Sequence, residues 1–222
     1  MPEGRPRPRL AASPLGSPAA LRRLTLALSV STLLISLAAC SGDAGGDPSG
    51  PSSEGEARTT SGGEPIGPAD EGIEGVEAFR VDSHAHTEEN LTYEPAPPTG
   101  GEHYPVPATC GFYESDPPPD ELLVHDLEHG AVWIAYDPDL DDDQKSALST
   151  LVAQQAKVTA TPYPDLDSPL VVTAWARQLR LDSVDDPRLL QFIEIYRNSS
   201  NAPEPNAACQ GIGTPTVASP AA

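Results

Sequence analysis

All eleven aromatic residues lie between Phe79 and Tyr196, so this chain of 222 residues can build a core only in its middle. That limits the fold to one modest domain of roughly 130 residues flanked by core-poor ends. Thirteen Lys and Arg against 33 Asp and Glu give a formal charge of −20. So acidic a surface repels a phosphate backbone and argues against a nucleic-acid partner.

The N-terminal end has its own logic. Residues 1–23 carry Arg5, Arg7, Arg9, Arg22 and Arg23 against Glu3 alone, and Leu24 to Ala39 then runs without a charge. A basic segment followed by an apolar one is the pattern of an export signal, here residues 1–39. The apolar run is shorter than the ~20 residues a membrane-spanning helix needs. It closes in Leu37-Ala38-Ala39-Cys40, which resembles a bacterial lipobox. The expectation is an exported protein, lipid-anchored through Cys40 to the outer face of the cell membrane. Losing five Arg and one Glu with the signal takes the charge to −24. Residues 40–75, rich in Gly, Pro, Ser and Glu with only Ile66 and Ile73 as large apolar residues, read as a disordered acidic linker. Residues 210–222 read as a second loose end, leaving 76–209 as the domain.

Within that domain, prolines at 95, 97, 98, 105, 107, 117, 118 and 119 make Glu77 to Asp120 a mostly irregular segment. Ala131 to Tyr136 reads as a buried strand. Asp141 to Gln155 reads as a helix with acidic residues at its positive end. Lys157 to Thr161 is a second strand, and Leu170 to Ala176 a third that extends toward Leu181. Asp186-Pro187 opens a last helix carrying Leu189, Leu190, Phe192, Ile193 and Tyr196. The order β-α-β-β-α predicts an α+β fold: a small mixed sheet with helices on one face.

Tyr93, Pro97-Pro98-Thr99-Gly100-Gly101-Glu102-His103, Cys110-Gly111-Phe112-Tyr113, and Leu123-Val124-His125-Asp126-Leu127-Glu128-His129-Gly130 run in that order, with Ala174-Trp175 and Ala202-Pro203-Glu204-Pro205 beyond. Together they resemble a bacterial family catalogued as domain of unknown function 3105, over about residues 86 to 209. Gly100 and Glu102 depart from that family's Ser and Pro. His86 falls on the pattern, seven residues before Tyr93, and His84 does not. The resemblance implies no established activity.

All five histidines lie between His84 and His129. His84 and His86, at i and i+2, share one side of a strand. His125 and His129, at i and i+4, share one face of a helix. His103 sits in a Gly/Pro loop. Neutral imidazole is the commonest metal ligand, so His86, His103, His125 and His129 are the candidate ligands of a Cu or Zn ion. Loss of Met1 leaves no Met, which argues against a thioether copper(I) site. The same histidines could instead bond carbonyls and carboxylates in a metal-free domain that docks a partner at the envelope.

His125 to His129 also reads H-x-x-E-H, the pattern of zinc peptidases in which Glu128 would be the general base and Glu194 or Glu204 a further ligand. Gly130 and the strand at Ala131 leave that helix barely two turns, and Glu128 can equally serve to orient a histidine. Cys110 and Cys209 are expected to pair in an oxidising compartment. Their loop of about 100 residues would be worth ~4–5 kcal/mol in the chain-entropy account. The rival reading makes Cys110 a metal thiolate, seven residues after His103. The acidic run from Asp137 to Asp143 lacks the glycine and terminal Glu of a calcium loop and reads as a solvated helix start.

Overall fold

Val132-Trp133-Ile134-Ala135-Tyr136 is buried at every residue, which places it mid-sheet with both faces covered. A computed structural model of the chain describes residues 56–69 and 72–220. In chain order the elements are β1 (Arg58–Ser61), β2 (Glu64–Pro68), β3 (Glu77–Arg80), β4 (Leu91–Glu94), β5 (Gly111–Phe112), α1 (Asp120–Glu128), β6 (Val132–Tyr136), α2 (Asp142–Gln154), β7 (Val158–Pro162), β8 (Leu170–Ala174), β9 (Arg177–Leu181), α3 (Pro187–Tyr196) and β10 (Val217–Ala218). Eight strands form one mixed sheet in the order β10-β5-β7-β6-β8-β9-β3-β2, and β1 pairs with β4 apart from it. The fold is α+β, as the alternation of elements predicts.

The centre of the sheet follows from simple local rules. β6 and β7 are parallel, joined through α2, while β8 runs antiparallel to both β6 and β9. α3 begins where sequence places it. Asp186 caps it, its Oδ1 accepting from the Arg188 amide at 2.9 Å, and Pro187 occupies the first turn.

The helices were expected on one face; they divide between two. Val132, Ile134 and Tyr136 of β6 pack with Leu148 and Val152 of α2 and with Leu189, Phe192 and Ile193 of α3. Trp133 and Ala135 alternate to the opposite face and pack with Leu122, Leu123, Val124 and Leu127 of α1. The alternation of β6 therefore needs an apolar cover on each side, and α1, which begins where the segment expected to be irregular ends, supplies the second.

Two boundaries are corrected. Residues 58–68, expected to belong to the linker, form β1 and β2, and Ile73 and Val76 join the core at 5% and 1% exposure. Strand pairing uses backbone amides rather than side-chain burial, so a polar composition did not prevent it. The end of the chain is also tied down: β10 pairs with β5, and Ile212 pairs with Ala108. The expected export signal, the expected lipidation site Cys40 and residues 41–55 lie outside the described residues. Among those described, no helix is long and apolar enough to cross a membrane.

Candidate metal centre

α1 carries three of the groups that matter, and its end determines where they point. His129 closes the helix, and Gly130 follows at φ +82°. The Gly130 amide bonds Leu127 O at 2.9 Å, and the Ala131 amide bonds Asp126 O at 2.9 Å. These two bonds form a Schellman turn, which needs a left-handed residue. A Cβ on Gly130 would also come within 2.9 Å of Asn198 Cα. Lys157, 1% exposed, donates to His129 O at 2.6 Å, a positive charge at the negative end of α1. The chain therefore turns from α1 directly into β6, with His125 and Glu128, at i and i+3, on one face.

A Gly-rich loop brings up the other wall. Gly101, at φ +121°, lies so close to β1 that a Cβ would sit 2.4 Å from Ser61 O. β1 in turn pairs with β4, and Gly62 O accepts from the Thr99 amide at 2.7 Å. The stretch taken from the linker thus holds the loop that carries His103. His86 pairs with His103 in an isolated bridge: Thr87 N donates to His103 O at 2.8 Å and His103 N to Ala85 O at 3.2 Å.

The result is a cluster. One ligand atom from each of His86, His103, His125 and Glu128 lies within 4.8 Å of all the others. His103 is fully buried, His125 and Glu128 are buried, and His86 is exposed, so the cluster opens to solvent on one side. Glu128 Oε2 is 3.0 Å from His103 Nε2 and 3.4 Å from His86 Nε2. The His86 and His125 rings stack with centroids 5.1 Å apart, and His103 meets both edge-on. His129 stands outside the four, with its Nε2 3.0 Å from His125 Nε2.

Three of the rings are fixed by carbonyl oxygens. His103 Nδ1 donates to Gly101 O at 2.8 Å, His125 Nδ1 to Tyr104 O at 2.7 Å, and His129 Nδ1 to Ala208 O at 2.6 Å. A carbonyl can only accept, so each Nδ1 carries the hydrogen and each neutral ring presents a bare Nε2. Burial pulls the imidazoles of His103 and His125 below the ordinary value. Burial pushes Glu128 up, but the nearby imidazole of His103, with help from those of His86 and His125, outweighs it, so its carboxyl sits below the usual range.

Of the four expected ligands, His86, His103 and His125 come together and His129 flanks them. Glu128, weighed in the sequence as a base or an orienting group, takes the fourth place. Its i+3 spacing from His125 was the signal available. His84, set aside for missing the family pattern, places its Nδ1 3.2 Å from Glu128 Oε1 on a side chain 66% exposed. Neither Tyr104 O nor Ala208 O could be read from residue types. Cys110 and Cys209 form a disulfide with Cα atoms 5.5 Å apart, so Cys110 is not a thiolate ligand in this structure.

No curated protein and no solved structure matches the chain. A family model described as protein of unknown function (DUF3105) matches residues 84–211, a span that holds every histidine of the cluster and both cysteines of the disulfide, and the chain belongs to that family.

Proposed function

We propose that this protein is an extracytoplasmic, lipid-anchored metal-binding protein that holds Cu²⁺ or Zn²⁺ through His86, His103, His125 and Glu128, with His129 beside them. The observation that carries the reading is the direction of the lone pairs. His103 Nε2 faces Glu128 Oε2 at 3.0 Å, and both are acceptors when the ring is neutral with its hydrogen on Nδ1. His125 Nε2 and His129 Nε2, both bare for the same reason, face each other at 3.0 Å. Acceptors that close repel unless a positive charge lies between them. A tetrahedral ion with bonds of ~2.0–2.1 Å sets its ligands about 3.3 Å apart, close to the 3.0 and 3.4 Å from Glu128 to His103 and His86. The carbonyls on Nδ1 are the outer partners that orient metal-bound imidazoles.

Glu128 is surrounded by His84, His86 and His103. That is the position of a ligand or an orienting group, and it does not favour a general base facing an open site. The acidic surface would raise the local concentration of cations, more so at low salt.

Calorimetric titration of tag-free full-length protein with Cu²⁺ and Zn²⁺, alongside elemental analysis of the protein as isolated, tests the reading. Affinity well below millimolar is expected. His103→Ala, His125→Ala and Glu128→Gln should each weaken it by at least about tenfold. His84→Ala should do much less. Millimolar affinity, or binding unchanged in the three variants, would return the histidines to a structural role.

A further inference from the structure

Cys110 and Cys209, joined across 99 residues, both line a cavity of about 630 Å³ whose walls include Thr109, Lys157, Gly211 and Ser219. Asp126 of α1 sits beside the sulfurs. A carboxylate oxygen of Asp126 and the two Sγ atoms all lie within 4.8 Å of one another. Asp126 is 1% exposed, and neither of its oxygens has a hydrogen-bond partner. The Ala108 amide donates elsewhere, to Leu122 O at 3.3 Å.

A buried carboxyl without a donor is costly to a fold. A disulfide carries no hydrogen and cannot satisfy it. Two thiols can, because each S–H is a donor, though a weak one. The arrangement is therefore incomplete in the disulfide state and complete in the dithiol state. The protonation of Asp126 need not change, since a carboxyl and a carboxylate both offer an oxygen lone pair.

We propose that Cys110 and Cys209 form an exchangeable thiol–disulfide couple, reduced by a dithiol that enters this cavity, and that Asp126 accepts hydrogen bonds from the thiols produced. A thiolate of the incoming dithiol attacks one sulfur. The S–S electron pair leaves on the other, which takes a proton from cavity water. The second thiol of the reductant, having lost its proton to water, then attacks its own mixed sulfur. Its disulfide forms, and the remaining cysteine leaves as a thiolate and is protonated. The protein gains two electrons and two protons, and the dithiol loses the same. This is independent of the metal reading.

The test uses full-length protein stripped of metal by chelation and equilibrated in graded ratios of reduced to oxidised dithiothreitol. Differential alkylation and peptide mass spectrometry then read residues 110 and 209 separately from Cys40. Reversible conversion is expected with the near-ultraviolet circular dichroism of the folded protein retained. Asp126→Leu removes both the unsatisfied group and the acceptor, so its midpoint should need about tenfold more reductant. Asp126→Asn keeps an acceptor and should stay within about threefold of wild type. Conversion only on loss of the folded signal, or an unchanged midpoint in Asp126→Leu, overturns the proposal. Where Asp126→Leu does not fold, the wild-type kinetics decide. A rate proportional to dithiol concentration supports direct attack in the cavity, and a rate independent of it overturns the proposal.

Discussion

Gly101 O, Tyr104 O and Ala208 O each hold one imidazole, and the consequence extends to acid stability. Unfolded, His103 and His125 take up protons near pH 6.5. Folded, their depressed values delay that uptake, so stability is lost as pH falls below ~6.5 because the unfolded chain binds more protons. Glu128, also depressed, adds a further loss below its ordinary range. Asp120, pushed up to about 6 by burial, works in the opposite direction between its ordinary value and 6. Burial pushes Asp126 up as well, and it acts in the same direction as Asp120. Urea titrations of metal-free protein at pH 7.5 and 5.5 separate the contributions. His103→Gln should lose less stability on acidification than wild type, and Asp120→Asn should lose more. An identical pH slope in His103→Gln would mean that the ring is not held neutral. The clustering of histidines was readable from the sequence because residue type and spacing carry it. The carbonyls that fix them were not, because a main-chain oxygen has no residue identity.

α1 shows why an element can be hidden in a sequence and still organise a site. Pro117-Pro118-Pro119 precedes it and Gly130 follows, so only the ten residues from Asp120 to His129 stand between two breakers, with no long apolar period to reveal them. β6, α2, β7 and α3 were legible because continuous burial, an acidic first turn and an Asp-Pro cap are local signals. β1 and β2 were not, since their partners β4 and β3 are what make them strands. The Schellman turn is the point to perturb. Gly130→Ala forces a side chain into a left-handed conformation and against Asn198. It should cost about 1–3 kcal/mol, lowering Tm by several degrees. It should also weaken metal binding, because the last turn of α1 carries Glu128 and His129. A variant with wild-type Tm would show that the helix end can relax without moving them.

At the scale of the whole molecule, the folded part begins at least by residue 58, and the anchor proposed at Cys40 is correspondingly nearer to it than a linker ending at 75 would place it. Cys40→Ser should release the protein from the membrane fraction or leave its precursor unprocessed, and mass spectrometry of the mature N-terminus checks this. An unmodified residue 40 in the wild type would remove the anchor. The sheet order has another consequence. β6 to β9 pair among themselves, but β3 reaches β9 across about 100 residues (Glu77 opposite Gln178), and β10 reaches β5 across a similar span (Val217 opposite Phe112). Closing such loops costs entropy before any contact repays it, so distant pairings tend to form late. The segment bearing His86 and His103 lies between β3 and β5, inside the first of those late closures. A metal ion should therefore find its ligands assembled only after the barrier to folding has been crossed. It should slow unfolding while leaving the refolding rate unchanged. Stopped-flow refolding and unfolding with and without Zn²⁺ would show this, and faster refolding with metal would mean that the ion helps to build the nucleus.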